Sequence, residues 1–538
     1  MNDCRQLSVK SAIRAIAHLP QIAYHPYLMK TNHIVTTLIL LGFFWVSGCN
    51  LHPAAATVYP DSTATGVSQL PPEIERTLRA IARTPTPPAP VSCQRADAPA
   101  PVRHIAVADI DYVGHTVNVQ QRIHFVNNTD VDLDHLLLHV EANRWRGVFT
   151  LDRVTTGLLD ELPYTLDGKR LDVTLNQVLL PGCEISILLN FRLNIPAVGE
   201  LMPASKGYFG YTDRQLNLGH WLATVAVFAG GEWTSRDDSV IGEQDVLDRA
   251  DWEVTVNLLN PPAGLSIAAP GVATAITPTA WRYVQREARD FSLSLSHQFI
   301  VASEAVDGVT VEVYSLPDAQ ENGAAAQALS VATRSLRAYT NWFGVYPSER
   351  LVVVEGDFSD GMEFSGLVFV GHHWFTQYTG DPAGYLTLIT AHEVSHQWWY
   401  ARIGNDSALS PWLDEALATY SEYIFLEEYY PELKDWWWTF RIGQYHPTGY
   451  VDSTVYEFDT ARDYINAVYL RGAEMLRDLR QDLGPEVFFQ WLADYAAAGD
   501  GIIATPDLFW SQLTPEQIEL TESTREEYLR QPTVVGRG

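Results

Sequence analysis

Two histidines one helical turn apart, His392 and His396, stand in AHEVSHQWWY at residues 391–400. A glutamate, Glu415, follows in a second apolar segment, PWLDEALATY, at residues 411–420. On a helix, residues four apart lie one above the other, about 6 Å apart along the axis. Two imidazoles so placed can share a cation at Zn–N distances of about 2.0–2.1 Å. Glu393 projects about a quarter-turn away, from where it can reach a metal-bound water without being a ligand. This His-Glu-x-x-His spacing points to hydrolysis by metal-activated water. Two core histidines on a buried helix are the other reading of the pair alone. Glu415 narrows the choice. It lies 415 − 396 = 19 positions after the second histidine, in a helix expected to start with Ser410 as N-cap and Pro411 in the first turn. Two histidines and one glutamate leave a fourth position open for water, as catalytic zinc sites do. One Zn2+ per chain is the expected cofactor. A Gly and a third His at 399 and 402 would mark a different arrangement, that of metzincins. Trp399 and Arg402 stand there instead, which excludes it.

The elements that must carry these residues are legible as patterns. Leu388, His392, His396, Trp399 and Ile403 form one stripe at three- and four-residue spacing, with Gly404 placed to end the helix. Segments 384–404, 411–430, 461–483 and 485–497 read as helices, as does AAAQALSVATRSLRAYTNWFG, whereas SERLVVVEGDF and SGLVFVG read as strands. Before them, HTVNVQQRIHFVNNT, DVTLNQVLL, EISILLNFRLNIP, DWEVTVNLLNPP and RDFSLSLSHQFIVA alternate or are β-branched, with polar turns between. The expected fold is therefore multidomain: an antiparallel β domain over 104–304, then an α+β catalytic domain over 305–538. Asn127-Asn128-Thr129 is expected to be a hairpin turn. His372 and His373 read as packing or surface residues, and Trp436-Trp437-Trp438 as a packed wall. Glu422, seven residues after Glu415, is either support for a ligand or a plain helix acid.

Composition excludes some partners. The chain has 538 residues, 46% of them hydrophobic, and a net charge of −29. Nucleic acid is not an expected partner, because phosphate binding needs a basic surface. Residues 29–50, MKTNHIVTTLILLGFFWVSGCN, join a Lys, an apolar run and small residues. The run is short of the roughly 20 residues that span a membrane, so residues 1–48 read as a signal region, with Met29 the better start. Val46-Ser47-Gly48-Cys49 resembles the lipobox of bacterial lipoproteins. That resemblance implies an acylated Cys49, a membrane-held N-terminus and an extracytoplasmic location, at the cell surface or in the periplasm. Residues 49–103, rich in Ala, Pro and Thr, would then be a tether. Cys93 and Cys183 can form a disulfide in such a compartment, or remain two free thiols.

HEVSHQWW followed by WLDEALATYSEY resembles the gluzincin aminopeptidases of the aminopeptidase N and leukotriene A4 hydrolase family. There the paired histidines are followed, after eighteen residues, by Glu within Trp-Leu-x-Glu. The resemblance covers roughly residues 104–500. It implies a β-saddle domain before a thermolysin-like zinc metallopeptidase domain, with His392, His396 and Glu415 as ligands and Glu393 as general base. Asp360-Gly361-Met362-Glu363-Phe364 is similar to the family's Gly-x-Met-Glu-Asn. By that likeness Gly361, Met362 and Glu363 bind substrate, and Glu363 holds its free α-amine. Asp360 and Phe364 depart from the pattern. Tyr469-Leu470-Arg471-Gly472-Ala473 resembles Tyr-Glu-Lys-Gly-Ala, which implies Tyr469 as the oxyanion donor, with Tyr456 and Tyr464 as neighbours that could substitute. Only about 40 residues follow Ala497, so the family's large C-terminal helical domain is not expected. The expected activity is removal of N-terminal residues from peptides. An endopeptidase on the same site and an inactive lipid-anchored binding protein are the alternatives.

Overall fold

The structure, a computed structural model, describes Cys93, Ala96 and residues 100–157, 159–201 and 203–532. The expected signal region, Cys49 and nearly all of the tether lie outside the described residues. Alternating runs fold as strands with one face inward. In Ala250–Leu258, Trp252, Val254, Val256 and Leu258 are buried and the residues between are half-exposed, the period of two that a one-sided sheet requires.

A seven-stranded sheet runs in the order 272–277, 280–288, 250–258, 102–111, 116–126, 184–194 and 149–156. Two four-stranded sheets accompany it, and the three share one apolar core. Cys93 and Cys183 are joined in a disulfide. Two details differ from the reading of the sequence. Val102–Asp111 and Ala250–Leu258 run parallel, because the long connection between them leaves room for a crossover. Asn127-Asn128-Thr129 is no hairpin: it lies between Thr116–Val126 of the large sheet and Leu133–His139 of a four-stranded one. Asn127 is buried, and its amide donates to Val131 O and Leu179 O, at 2.8 Å each.

A five-stranded sheet opens the second half, in the order 300–306, 309–315, 350–356, 367–371 and 362–364. It begins at Ile300 rather than at 305. The run RDFSLSLSHQFIVA is divided between sheets, because Ser296 Oγ accepts the Gln298 N–H and donates to Arg214 O, turning the chain. Arg350–Gly356 and Leu367–Gly371 are buried almost throughout, as continuous apolar runs must be. Against this sheet pack Ala324–Phe343 and the motif helix Tyr385–Ser395, followed by Trp412–Tyr429 and Arg471–Leu483. The Tyr339 hydroxyl, 3.1 Å from Ala391 O and 2.9 Å from Ser421 O, bridges three of these helices. Among the described residues no helix is long and apolar enough to cross a membrane.

The motif helix does not run to Gly404. It ends at Ser395, and Gln397–Arg402 forms a wide turn whose amides bond to the fifth residue back: Ala401 N to His396 O at 2.9 Å, and Ile403 N to Trp398 O at 3.0 Å. The cause is a buried arginine from the β half. Arg289 donates to Tyr400 O, Leu247 O, Arg402 O and Ile502 O. Gly404 lies where any Cβ would overlap that guanidinium. The next helix starts at Trp412 with Pro411 in the N-cap position and no side chain bonded to its first amides, so Ser410 does not cap it. A second wide turn, Ile465–Leu470, precedes Arg471–Leu483. Gly472 lets that helix approach, because a Cβ there would overlap Ala416.

Candidate metal centre and active site

The folds of three segments converge on one point. Ligand atoms of His392, His396 and Glu415 all lie within 4.8 Å of one another, and all three residues are buried. Glu415 Oε2 is 3.3 Å from His392 Nε2 and 3.6 Å from His396 Nε2. The other ring nitrogens are occupied. His392 Nδ1 is 3.1 Å from Glu422 Oε1, and His396 Nδ1 is 3.3 Å from Trp399 O, the carbonyl that the wide turn swings inward. These contacts at Nδ1 leave both Nε2 atoms facing the space shared with Glu415.

Glu422 is bonded to His392 rather than standing as a plain helix acid. It is fully buried and receives Trp437 Nε1 at 3.1 Å and two Arg441 nitrogens at 2.9 Å each. Sequence reading missed Arg441 and took Trp437 as wall. Nothing local marks them, although the seven-residue interval from Glu415 does place Glu422 on the same helix face.

Five carboxylates, Glu363, Glu393, Asp414, Glu415 and Glu422, are buried here. Arg441 is the buried guanidinium among them, and it is taken by Glu422. Burial would lower the pKa of His392, but hydrogen bonds to Glu415 and Glu422 outweigh it and hold it up at about 9. Burial also opposes charge on Glu415, yet its bonds to both histidines keep it well below the ordinary carboxylate range. Number, type and convergence of the donors fit a catalytic zinc. A divalent cation would also offset the excess of buried negative charge.

Glu393 lies beside these three residues. Its Oε2 is buried without a hydrogen-bond partner, and burial pushes its pKa well up. Gly361 faces it so closely that any Cβ would overlap the carboxylate. The strand Met362–Phe364 pairs with Leu367–Gly371, Glu363 opposite Val368. Glu363, Glu393 and His396 bring their polar atoms within 4.8 Å of one another. The Glu363 side chain is buried and accepts no hydrogen bond from another described residue; burial raises its pKa. Two braces hold the strand. Gln397 donates to Phe364 O at 3.1 Å and accepts from Gly366 N at 2.8 Å. Asp290 accepts from Ser365 N at 3.2 Å and from the Tyr400 hydroxyl at 2.6 Å.

The two departures from the family pattern have structural partners. Asp360 Oδ1 accepts the Gly361 N–H at 3.0 Å. Phe364 packs on Tyr208 and His220 of the β half, ring centroids 5.8 and 4.9 Å away, and Gly219 leaves it room. Tyr469 lies parallel to the His392 ring, 6.0 Å away. Burial, with the Glu415 carboxylate nearby, keeps its hydroxyl protonated far above the ordinary range. Tyr464 is its buried neighbour, 5.5 Å between rings. Tyr456 is exposed, and its hydroxyl binds Asp237 O. His372 stands apart from the site, its Nδ1 2.5 Å from buried Glu355.

Comparison with known proteins agrees with this geometry. Residues 327–525 match the peptidase family M1 domain. Aminopeptidase M1-A of Oryza sativa subsp. japonica is 29% identical over 215 residues, 36% of this chain and 24% of that protein. The thyrotropin-releasing hormone-degrading ectoenzyme of Rattus norvegicus is 26% identical over 205 residues, 35% of this chain and 19% of its own length. The chain thus spans about a quarter or less of these relatives. Across both halves the fold is like that of the M1 zinc metallopeptidase of Deinococcus radiodurans, with a TM-score of 0.55 and 16% identity, covering 81% of this chain and 96% of that one. A two-domain M1 zinc metallopeptidase bound to L-tryptophan gives a TM-score of 0.56 at 17% identity, over 79% and 94% of the two chains. The converging histidines and glutamate therefore stand in a recognised setting: residues 327–525, which hold all three, match the peptidase family M1 domain, and the fold is that of M1 zinc metallopeptidases.

Proposed function

We propose that the chain is a zinc-dependent aminopeptidase that removes N-terminal residues from peptides. The observation that carries this reading is Glu363, a buried carboxylate with no hydrogen bond from another described residue, beside His396 and Glu393. A buried acid without an ion pair is costly, and a protonated α-amine would supply the opposite charge. Held there, a peptide presents its first carbonyl to the two-histidine, one-glutamate site and no later one.

His392, His396 and Glu415 would hold one zinc. When bound, it supplies Lewis-acid polarisation of the carbonyl and acidifies water. Glu393 takes the proton of the attacking water and passes it to the leaving amine. Its buried, unpartnered Oε2 supports that role. Tyr469, held protonated beside Glu415, donates to the oxyanion. Glu422 fixes the orientation of His392. Peptides would meet the enzyme outside the cytoplasm, if Cys49 carries lipid as its lipobox-like context implies.

The test pairs zinc analysis with one peptide offered free and N-acetylated. The free form should be cleaved from its N-terminus and the blocked form refused. Equal cleavage of both would make the protein an endopeptidase. Glu393→Gln should retain zinc and lose about 10²–10⁴-fold in rate. Unchanged rate in that variant would remove Glu393 as the base.

A further inference from the structure

An aromatic surface continues from the site along the motif helix. Tyr385, Ile389, His392 and His396 are spaced by four, three and four residues, so they share one helix face. Ile389 and Tyr385 are half-exposed, unlike the buried residues around them. At Tyr385 this face meets other half-exposed rings. Trp374 lies 4.7 Å and Phe440 5.1 Å from Tyr385, ring centre to ring centre, and Trp436 stacks on Phe440 at 4.8 Å. The Tyr385 and Tyr445 hydroxyls are 3.0 Å apart, and the Arg462 guanidinium lies 4.6 Å above the Tyr445 ring. Trp374, Tyr385 and Phe440 border a depression at the start of the helix, lined also by Tyr378 and Asp381.

The position of Glu363 gives this surface a direction. Glu363 lies beside His396, toward the end of the motif helix. A peptide whose amine is held there, with its first carbonyl at the site, must leave past His392 toward Ile389 and Tyr385. Seven helical residues separate His392 from Tyr385, about 10 Å along the axis. An extended chain covers that in about three residues at about 3.3 Å each. The residues reaching the rings are then the third and fourth from the N-terminus.

We infer that Tyr385, Trp374, Phe440 and Trp436 form a binding ledge for the peptide beyond the scissile bond, selecting aromatic side chains at its third and fourth positions. The inference rests on the aminopeptidase reading for the direction of the chain. The ledge supplies stacking partners, which prefer offset or tilted contacts at the separations seen among its own rings. Its preferred substrates are peptides of four or more residues rather than dipeptides.

The test is a titration of the Glu393→Gln protein with Ala-Ala-Phe-Phe-Ala and with penta-alanine. The first peptide should bind about tenfold more tightly, a difference of about 1.4 kcal/mol. Phe440→Ala should remove most of that preference, and Phe440→Tyr should keep it. Trp436→Ala, four residues earlier and stacked on Phe440, serves if Phe440→Ala does not fold. Equal affinities for the two peptides, or a preference that survives both alanine substitutions, overturns the ledge. Failure of the unsubstituted zinc protein to cleave either peptide, with the binding preference intact, would overturn the aminopeptidase reading and leave the ledge standing.

Discussion

Two pairs of histidines in this molecule are buried alike and titrate in opposite directions. His104 and His139, in the β half, are 1% and 5% exposed; His392 and His396, on the motif helix, are 5% and 1%. Burial pushes His104 down to about 3 and, with Lys169 nearby, His139 to about 4. His104 stacks flat on Trp252 at 4.0 Å, and the Gln121 amide nitrogen is 3.1 Å from its Nδ1. No carboxylate touches it. Around His392 and His396, burial acts in the same sense and is overruled by Glu415, Glu422 and Glu363. The lesson is that desolvation keeps a buried histidine neutral unless acidic partners outweigh it. The β half uses imidazole as a flat, neutral packing unit. The second half has surrounded the same ring with acids, which makes a place for positive charge.

The comparison can be broken most severely at the shared acid. Glu415→Gln removes the carboxylate that both imidazoles face. Zinc content should fall to near zero, and loss of several kcal/mol of Lewis-acid stabilisation should cut peptide hydrolysis by about a thousandfold or more. Metal analysis and rate on one sample check both. Full zinc content in that variant would contradict the ligand assignment.

A smaller effect is expected one bond further out. Glu422→Gln leaves a hydrogen-bond acceptor for His392 Nδ1 but removes its charge and its pairing with Arg441. Zinc affinity should drop by about 10–100-fold, as is usual for such outer partners. Competition against a chromophoric chelator reads it. An unchanged affinity would reduce Glu422 to a packing residue.

The smallest effect tests the neutral pair. The folded-state pKa of His104 lies far below the ordinary 6.5, so the unfolded chain gains a proton that the folded one refuses. The stability tied to this residue is therefore present above pH 6.5 and is lost as pH falls toward 3, at up to about 1.4 kcal/mol per pH unit. Urea unfolding at pH 7 and 5.5 should show a smaller loss in His104→Gln than in the unsubstituted protein. Equal losses would mean that His104 titrates normally.

How far the sequence could be read follows the range of the interactions involved. The His392–His396 pair was legible because a four-residue interval on a helix is a local fact. Glu415 was legible as a glutamate in the next apolar segment, and the resemblance matched its distance along the chain. The strands at 350–356 and 367–371 announced themselves as apolar runs. The ends of elements were not legible. The motif helix breaks at Ser395 because Arg289, more than a hundred residues earlier, takes the carbonyls of Tyr400 and Arg402. No pattern near 396 contains that arginine. Arg441 and Trp437 reach Glu422 across a turn of chain with no periodic relation to it. The division of RDFSLSLSHQFIVA between two sheets hinges on one serine hydroxyl.

Arg289 and Asp290 have a consequence for the architecture. These adjacent residues belong to the β half by chain position, yet their bonds end on the turn after His396 and on the loop beyond Glu363. Cutting the chain before Ile300 would remove the donor to the Tyr400, Arg402 and Ile502 carbonyls and the acceptor of the Tyr400 hydroxyl. The β half is therefore a structural part of the candidate site rather than an accessory to it, and residues from Ile300 onward, expressed alone, should lose the turn that follows His396.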